Sequence, residues 1–286
     1  CGGTGQASQN LDLGNRISHD PLDHYNSRAM ILWGRNPATT QIGLVPIIKE
    51  IKKKGGRIIT IDPFRNRSAA LSDRHIAPAP GMDAYLAMAA AKILIDRGAH
   101  DIDFLSHHSA GYTAYKAILD RYRVDKLCYL AGVSGEDAQY IADTLINFKP
   151  TSILLGWGLH RHKEAHFTIR AIDALGAVSG NIGVEGGGVS QGFEEYGPYD
   201  PKCWGDQLNP GRRTILMPYV GEELLNAQNP PIRMVYVTAA NPVCMAPNSA
   251  LVAEALRRME FVVYSGHFLD DTAELADVFL PATTFL

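Results

Sequence analysis

Residues 28–37 (RAMILWGRNP) and residues 233–242 (RMVYVTAANP) decide the fold, because one pattern occurs twice, about two hundred residues apart. Each is an apolar run with the character of a strand, and each ends in Asn-Pro. A helical segment, a second strand, a phenylalanine, a short polar segment and a third apolar run follow in the same order, ending near Pro78 and at Pro281. The offset is constant apart from one residue of slippage. Such a repeat predicts a duplicated βαβ unit.

Strands alternate with helical segments along most of the chain, which is typical of the α/β class with mostly parallel sheets. We therefore expect Rossmann-like parallel sheet domains that contain two βαβ units related by a pseudo-twofold axis. The length of 286 residues favours two domains. We place a complete α/β dinucleotide-binding domain at residues 1–190, and an irregular excursion followed by a partial second α/β domain at residues 191–286.

The two ends of the sequence resemble cut points. The chain begins at Cys1 without Met or a signal peptide, and it stops at Leu286 directly after a predicted strand and loop. We expect a fragment of a larger polypeptide, in which the other half of the second domain precedes Cys1. Localisation signals would then lie outside this sequence, so the compartment stays open.

The composition is that of an ordinary globular protein, with 46% hydrophobic residues, 20% charged residues and a net charge of -3. This balance gives no electrostatic reason to expect nucleic acid or an anionic membrane as a partner. No apolar run is long enough to insert across a bilayer. The four cysteines form no CxxC pair, which excludes a contained zinc ribbon or ferredoxin-type cluster and gives no disulfide framework.

Several local predictions concern elements outside the repeat. Residues 1–27, rich in Gly, Asn, Asp and Ser, are expected to form a loop close to a ligand, and residues 189–231 a long irregular excursion. Asp83 is expected to cap the helix that follows it. Cys128 and Cys244 lie in apolar surroundings and are expected to be small core residues.

Ligands of open parallel sheets bind beyond the carboxyl ends of the strands, where helix amino termini present free N–H groups. Small residues there let the backbone approach a ligand, and Asn and Asp can bind the edge of a base or a ribose. A single Asn-Pro pair more simply makes a turn, but two copies in matching contexts favour a repeated ligand-binding unit. The residues of these kinds at the predicted strand ends are Gly34, Asn36, Asp62, Gly156, Gly158 and Asn241.

Three other stretches carry chemistry-bearing residues. Residues 180–188 are dense in glycine and could cradle a phosphate, yet they match neither a P-loop nor a dinucleotide fingerprint. His160, His162 and His166 have no carboxylate at ligand spacing, so a polar or ligand-facing segment is favoured over a metal cluster. Cys1 is followed at once by a glycine-rich segment, where backbone donors could hold a thiolate that binds a soft metal.

Six motifs carry a resemblance to a known family. In order and spacing they resemble those of the molybdopterin oxidoreductases of the dimethyl sulfoxide reductase superfamily, and the match covers nearly the whole chain. Several are individually loose, but their ordered combination is specific. The motifs are LWGRNP (32–37), IDPFRNRSA (61–69), PGMDA (80–84), GWG (156–158), SGNIG (179–183) and ADVFLPA (276–282).

The resemblance implies a molybdenum or tungsten ion held by two pterin guanine dinucleotides, one in each of two related α/β domains, and a small inorganic or organic substrate. Cys1 falls where family members carry the Cys, selenocysteine or Ser that ligates the metal, so it would be both the catalytic residue and the metal ligand. The residues that would contact the dinucleotides are Gly34, Asn36, Pro37, Asp62, Arg65, Asp83, Gly156, Gly158, Arg161, Gly180, Asn181, Asn241, Pro242, Asp270 and Thr272.

The family also implies groups outside this sequence. These are a 4Fe-4S cluster in an amino-terminal segment, a carboxyl-terminal cap and a partner subunit that transfers electrons. Anaerobic respiration in a prokaryotic cytoplasm or periplasm would be the setting. A chain without the amino-terminal segment and the cap would have fewer contacts with the cofactor.

Two positions depart from the formate dehydrogenases of this family, which place His directly after the metal ligand and Arg shortly after the Gly-rich segment. Here these positions are Gly2 and, approximately, Phe193, which disfavours formate oxidation. A non-catalytic molybdopterin-fold subunit of the respiratory complex I type and a non-redox hydratase are the alternatives. Retention of Cys1 and of both Asn-Pro loops argues against the former. A nicotinamide dehydrogenase would carry GxGxxG after the first strand, and residues 34–37 do not.

Overall fold

The computed structural model describes residues 2–14, 20–191, 202 and 205–284. The chain forms two compact units, Cys1–Gly197 and Pro198–Leu286. Each unit is built on a parallel sheet of its own. The α/β class with parallel sheets, predicted from the alternation of strands and helices, is therefore confirmed. The pseudo-twofold relation between the two βαβ copies stays a prediction.

The first unit contains a five-stranded parallel sheet in the order β3-β2-β1-β4-β5. Its strands are β1 (Ala29–Trp33), β2 (Arg57–Ile61), β3 (Arg74–Ile76), β4 (Thr151–Leu155) and β5 (Gly188–Gln191). Its helices are α1 (Gly3–Leu13), α2 (Pro37–Thr40), α3 (Leu44–Lys53), α4 (Asp83–Asp96), α5 (Ile102–His108), α6 (Tyr112–Leu119), α7 (Val124–Ala131), α8 (Gly135–Asn147) and α9 (Ala165–Val178).

Helices cover both faces of this sheet, which explains why every residue of β1 and β4 is buried. Along β1, Met30 and Leu32 pack in a cluster with the apolar face of α3. Ile31 and Trp33 point the other way, into a larger cluster with residues of α4, α8 and α9. Strands buried on both faces read as continuous apolar runs, and this is the pattern that made β1 recognisable in the sequence.

The second unit contains a three-stranded parallel sheet in the order β6-β7-β8. Its strands are β6 (Met234–Thr238), β7 (Phe261–Gly266) and β8 (Val278–Pro281). Its described helices are α10 (Val220–Asn226), α11 (Pro242–Met245) and α12 (Ser249–Arg257). Residues of α10 and α12 form a small apolar core with Val262 of β7.

The two units share backbone detail at matching positions of the repeat. In the first, the Asp73 carboxylate accepts a hydrogen bond from the Ile58 amide at 2.8 Å. In the second, the Asp277 carboxylate accepts one from the Val262 amide, also at 2.8 Å. The bond ties the second strand of each copy to the start of the third. The repeat read from the sequence is therefore present in the structure.

Two predicted irregular stretches contain regular elements. Residues 1–27 were expected to form a loop, but α1 occupies Gly3–Leu13. Residues 189–231 were expected to be irregular throughout, but they include most of β5 and all of α10. Both predictions were wrong at these places, because polar and short elements lack the apolar periodicity on which the predictions rested. Residues 192–200, including Phe193, lie outside the described residues.

Two predictions about single residues were also wrong. Met82 is the N-cap of α4, and Asp83 is its first helical residue, with a carboxylate that accepts a hydrogen bond from the Trp33 indole. Cys244 is exposed, because the short helix α11 turns it away from the core, whereas Cys128 is buried as expected. Within the described part of the chain, no helix is both long and apolar enough to cross a bilayer.

Candidate functional site

The loops after β1 and β4 meet where the strand order reverses, at the switch point of the first sheet. A Cβ atom at Gly156 would overlap the carbonyl oxygen of Gly34, so the two loop backbones touch. Gly34 adopts a left-handed φ of 60°, and its amide donates to the Ile61 carbonyl at 2.7 Å. The Gly156 amide donates to the Trp33 carbonyl, also at 2.7 Å. Glycine at 156 is therefore required by the packing of the two loops.

Leu159 completes this contact and was missed by sequence reasoning. Its Cγ atom would lie 3.0 Å from a Cβ atom at Gly34. A Cβ atom at Gly158 would meet nothing within 4 Å, so that position borders open space. The switch point thus combines a tight backbone junction with an accessible loop beside it.

Arg35 places a cation at the same junction. Its Nη1 atom donates to the Leu155 carbonyl at 3.4 Å, and its Nη2 atom donates to Gln41 Oε1 at 2.5 Å. Burial lowers the pKa of Arg35 from its ordinary value, although a guanidinium stays protonated at any physiological pH. A partly desolvated positive charge at a strand end favours an anionic ligand such as a phosphate group.

The first Asn-Pro loop is held by a side-chain bridge. Asn36 precedes α2, and Pro37 is its buried first residue. Ser68 Oγ donates to Asn36 Oδ1 at 2.8 Å and accepts from the Ala38 amide at 3.0 Å. The side-chain oxygen of Asn36, Oδ1, therefore helps to position the loop that follows β1.

The second Asn-Pro loop repeats this bridge. Thr272 Oγ1 donates to Asn241 Oδ1 at 2.5 Å and accepts from the Val243 amide at 3.2 Å. Asp270 Oδ1 accepts from the Thr272 amide at 3.1 Å, and Pro242 is again the buried first residue of its helix. Both loops are thus built in one way, with backbone amides arranged at the start of a short helix.

Asp62 shapes the loop beyond β2. Its Oδ1 atom accepts from the Phe64 amide at 2.8 Å, and its Oδ2 atom accepts from Asn66 Nδ2 at 3.0 Å. This turn leaves Phe64 73% exposed and places the exposed Arg65 next to it. Asp62 itself is half-buried at the carboxyl edge of the sheet, on the same edge as Gly34.

Asp83 lies below this edge and not on its surface. It is 3% exposed, and Trp33 Nε1 donates to its Oδ1 atom at 2.8 Å. Burial raises the pKa of Asp83, while the indole bond and the nearby His162 oppose that shift. His162 packs on the 80–84 motif, where its Nδ1 atom would lie 3.1 Å from a Cβ atom at Gly81. The neighbouring Arg161 is exposed.

Gly180 and Asn181 are not brought together with these residues. Asn181 Oδ1 accepts from the Thr151 amide at 2.8 Å, at the amino end of β4. Gly180 has a φ of 67°, and a Cβ atom there would overlap the Asp101 carboxylate. Both residues are therefore placed at the edge of the sheet opposite Gly156, where they close the turn after α9.

The three histidines of residues 160–166 do not act as one group. His160 is buried, whereas His162 and His166 are exposed. Burial lowers the pKa of His160, which keeps its imidazole neutral near pH 7. Within residues 2–14, 20–191, 202 and 205–284, no three metal-ligating side chains converge on one point. Cys1, the predicted metal ligand, lies outside the described residues.

Comparison with known proteins places this site in a family. The family model for molybdopterin oxidoreductases matches residues 3–286. A probable oxidoreductase, YyaE, of Bacillus subtilis (strain 168) is 38% identical over 286 residues, which are 99% of this chain and 43% of that protein. The assimilatory nitrate reductase catalytic subunit of the same organism is 26% identical over 98% of this chain and 43% of its own length.

Formate dehydrogenase H of Escherichia coli (strain K12) is 24% identical over 99% of this chain and 43% of its own length. The acetylene hydratase of Pelobacter acetylenicus matches in structure with a TM-score of 0.75 and 19% identity, over 98% of this chain and 44% of that one. At that identity the likeness shows the fold alone. The chain spans less than half the length of these relatives. The resemblance read from six sequence motifs is confirmed, and the chain belongs to the molybdopterin oxidoreductase family.

Proposed function

We propose that this chain is the central part of a catalytic subunit that binds molybdenum or tungsten through two pterin guanine dinucleotides. The observation that carries the proposal is the repeated Asn-Pro loop. Each unit has an asparagine before a short helix, bridged to a hydroxyl from the loop beyond its second strand. Two equivalent loops provide for two equivalent ligands, as a bis-dinucleotide cofactor requires.

The first loop region fits a pterin dinucleotide on three grounds. The Gly34–Gly156 junction holds the loops after β1 and β4 side by side at the carboxyl edge of the sheet, where ligands of such sheets bind. Gly158 borders open space beside that junction. Arg35 offers a positive charge to a pyrophosphate there. In the same region, Asp62 and Arg65 lie near the carboxyl edge of the sheet, where they would bind a ribose or a base.

In the second unit, Asn241, Pro242, Asp270 and Thr272 would hold the other dinucleotide. The loop around Asn241 is held by the same kind of bridge as the loop around Asn36, with the amide two residues after the asparagine bound to the hydroxyl. The matching construction of the two loops supports the same role for both. When bound, the metal group would supply electron transfer to or from a small substrate by changing its oxidation state.

Cys1 would be the protein ligand to the metal. In the sequence a single residue, Gly2, separates it from the first residue of α1, Gly3. A thiolate suits a soft or high-valent metal and tunes its potential. Gly180 and Asn181, in contrast, would act on the cofactor only through the fold, since they lie at the opposite edge of the sheet.

Further partners of the whole protein are also proposed. The relatives include the alpha subunit of an F420-dependent formate dehydrogenase of Methanocaldococcus jannaschii, 28% identical over 82% of this chain and 38% of that protein. We expect a 4Fe-4S cluster in the polypeptide outside this chain and an electron-transfer subunit that accepts or delivers electrons. The substrate would be a small inorganic or organic molecule.

Metal analysis of the full-length protein tests this function. Anaerobically purified protein is expected to contain molybdenum or tungsten. Cys1→Ser should exchange one sulfur ligand for oxygen in the metal X-ray absorption spectrum, whereas Cys244→Ser, at an exposed thiol, should leave that spectrum unchanged. Absence of both metals from the wild type would sink the proposal. An unchanged spectrum in Cys1→Ser would remove Cys1 as the ligand.

A substrate panel tests the reaction class. Nitrate, sulfur oxyanions, N-oxides and S-oxides should be assayed with reduced dye, and formate with oxidised dye. Gly2 at the position of the formate-specific His leads us to expect no formate oxidation. Turnover of formate at a rate comparable with any other substrate would contradict that expectation.

A further inference from the structure

The helix that follows Cys1 is attached to the first unit by polar contacts. The buried residues of α1 are Gly5, Ser8 and Gln9, whereas its Leu11 is 77% exposed. A surface helix is ordinarily held by an apolar stripe. The attachment of α1 therefore depends on hydrogen bonds with the elements beneath it.

At its amino end, α1 is fixed by shape and by hydrogen bonding. Gln191 Nε2 of β5 donates to the Gly5 carbonyl at 2.8 Å. A Cβ atom at Gly5 would overlap both the Gln191 side chain and the His160 ring. This end of the interface is tightly packed, and none of the three residues carries a carboxyl group.

At the other end, the contacts involve two carboxyl groups. Gln9 Nε2 donates to Asp173 Oδ1 of α9 at 3.0 Å and to the Val189 carbonyl at 3.4 Å. Arg170 Nε, one turn before Asp173 on α9, donates to Asp12 Oδ1 at 2.8 Å. Asp173 is 3% exposed. The residues 5, 9 and 12 lie on one face of α1, which spans about 10 Å between the first and the last.

Each of the two carboxyl groups has a second oxygen that is buried. Asp12 Oδ2 and Asp173 Oδ2 are both buried, and neither receives an N–H or O–H donor from another described residue. The two side chains interact directly, and two ionised carboxylates at that range would repel. One proton placed between them satisfies both oxygens. Burial raises the pKa of Asp173 to about 7, and the charge of Asp12 acts in the same direction.

We propose that one proton shared by Asp173 and Asp12 fastens α1 to α9, and that loss of this proton loosens the helix next to Cys1. The consequence for catalysis rests on the proposed role of Cys1 as metal ligand. Asp173 is thus a positioning residue, which acts on the metal only through α1. The fastened state is the protonated state.

Burial sets the direction of the effect, and the charged groups around the pair modify its size. Asp12 on α1 strengthens proton binding, and Arg170 on α9 opposes it. β5 presents Val189 and Gln191, which do not titrate, and the ring of His160 packs at the far end against Gly5. Since the docked state binds the proton more tightly than the undocked state, docking is strongest below the ordinary Asp range and is lost as the pH rises through about 7.

Hydrogen exchange of α1 in the full-length protein tests this inference. After correction for intrinsic rates, protection of the α1 amides should fall up to about tenfold per pH unit as the pH rises toward 7, and level off above it. Asp173→Asn keeps the shape of the protonated carboxyl group and cannot lose its proton, so protection of the α1 amides should become independent of pH. Asp103→Asn, at an exposed aspartate of α5, should behave as the wild type. Flat protection in the wild type overturns the inference, as does unchanged pH dependence in Asp173→Asn.

A second variant decides the question if Asp173→Asn fails to fold. Arg170→Gln removes the half-exposed cation that opposes proton binding, so the fall in protection should extend to higher pH. An unchanged profile in Arg170→Gln contradicts the shared proton. Metal loss from the loaded protein is measured in parallel. If hydrogen exchange follows the expected profile but metal loss does not change with pH, the shared proton is supported. The same result would count against Cys1 as the metal ligand.

Discussion

Single glycines define the junction at the switch point. Gly156 has no room for a Cβ atom because the Gly34 carbonyl occupies that space, whereas Gly158, two residues on, faces open space. The sequence showed both glycines in one motif and did not distinguish them. Only the structure separates the glycine required by packing from the glycine that faces open space.

Alanine at these two positions should give opposite results. Gly156→Ala is expected to lower the free energy of unfolding by about 1–3 kcal/mol or more, because two loop backbones must move apart. Gly158→Ala is the matched control and should change stability by less than about 0.5 kcal/mol. Urea denaturation of the full-length protein measures both. Equal losses would show that the junction is not tightly packed.

Ala239 occupies the position in the second unit that Gly34 occupies in the first. Its φ is 52°, close to the 60° of Gly34, and such a φ costs an alanine about 1 kcal/mol. Ala239→Gly should therefore raise the unfolding free energy by a few tenths to about 1 kcal/mol. Ala240→Gly, next to it and without a positive φ, should lower it. A loss of stability in Ala239→Gly would mean that the left-handed conformation is absent.

At the level of elements, the bridged Asn-Pro loop is the unit that repeats. Its strands were predictable because β1, β2 and β4 are buried on both faces and read as apolar runs. Its bridge was not predictable, because the hydrogen bond between Ser68 and Asn36 joins residues far apart in sequence. The helix α1 was missed for a different reason. Its buried face is polar, so apolar periodicity could not reveal it.

The bridge should contribute measurably to stability in both units. Ser68→Ala removes the donor to Asn36 and leaves the Ala38 amide without its acceptor, so a loss of about 1–2 kcal/mol is expected. Ser106→Ala, at an exposed serine of α5, is the control and should cost little. Thermal or urea unfolding gives the comparison. A loss no larger than that of the control would indicate that the loop is held by other contacts.

At the scale of the whole molecule, the chain contains two parallel sheets that carry the same loop. The prediction of an α/β fold with a repeated βαβ unit needed only the spacing of apolar runs and Asn-Pro pairs. The placement of the site residues needed the structure, because Asp83 is buried below the sheet edge and Asn181 lies at the opposite edge. Sequence motifs show which residues match those of a family. The direction of the strands determines which of these residues lie at the same edge of the sheet.

The ratio of guanine nucleotide to metal in the full-length protein tests most directly the proposal that each Asn-Pro loop binds one dinucleotide. Hydrolysis of a pterin guanine dinucleotide at its pyrophosphate releases GMP, which chromatography quantifies beside molybdenum or tungsten measured by mass spectrometry. Two dinucleotides on two equivalent loops predict two GMP for each metal ion. One GMP for each metal ion, or metal without GMP, would contradict the proposal that both Asn-Pro loops bind the cofactor.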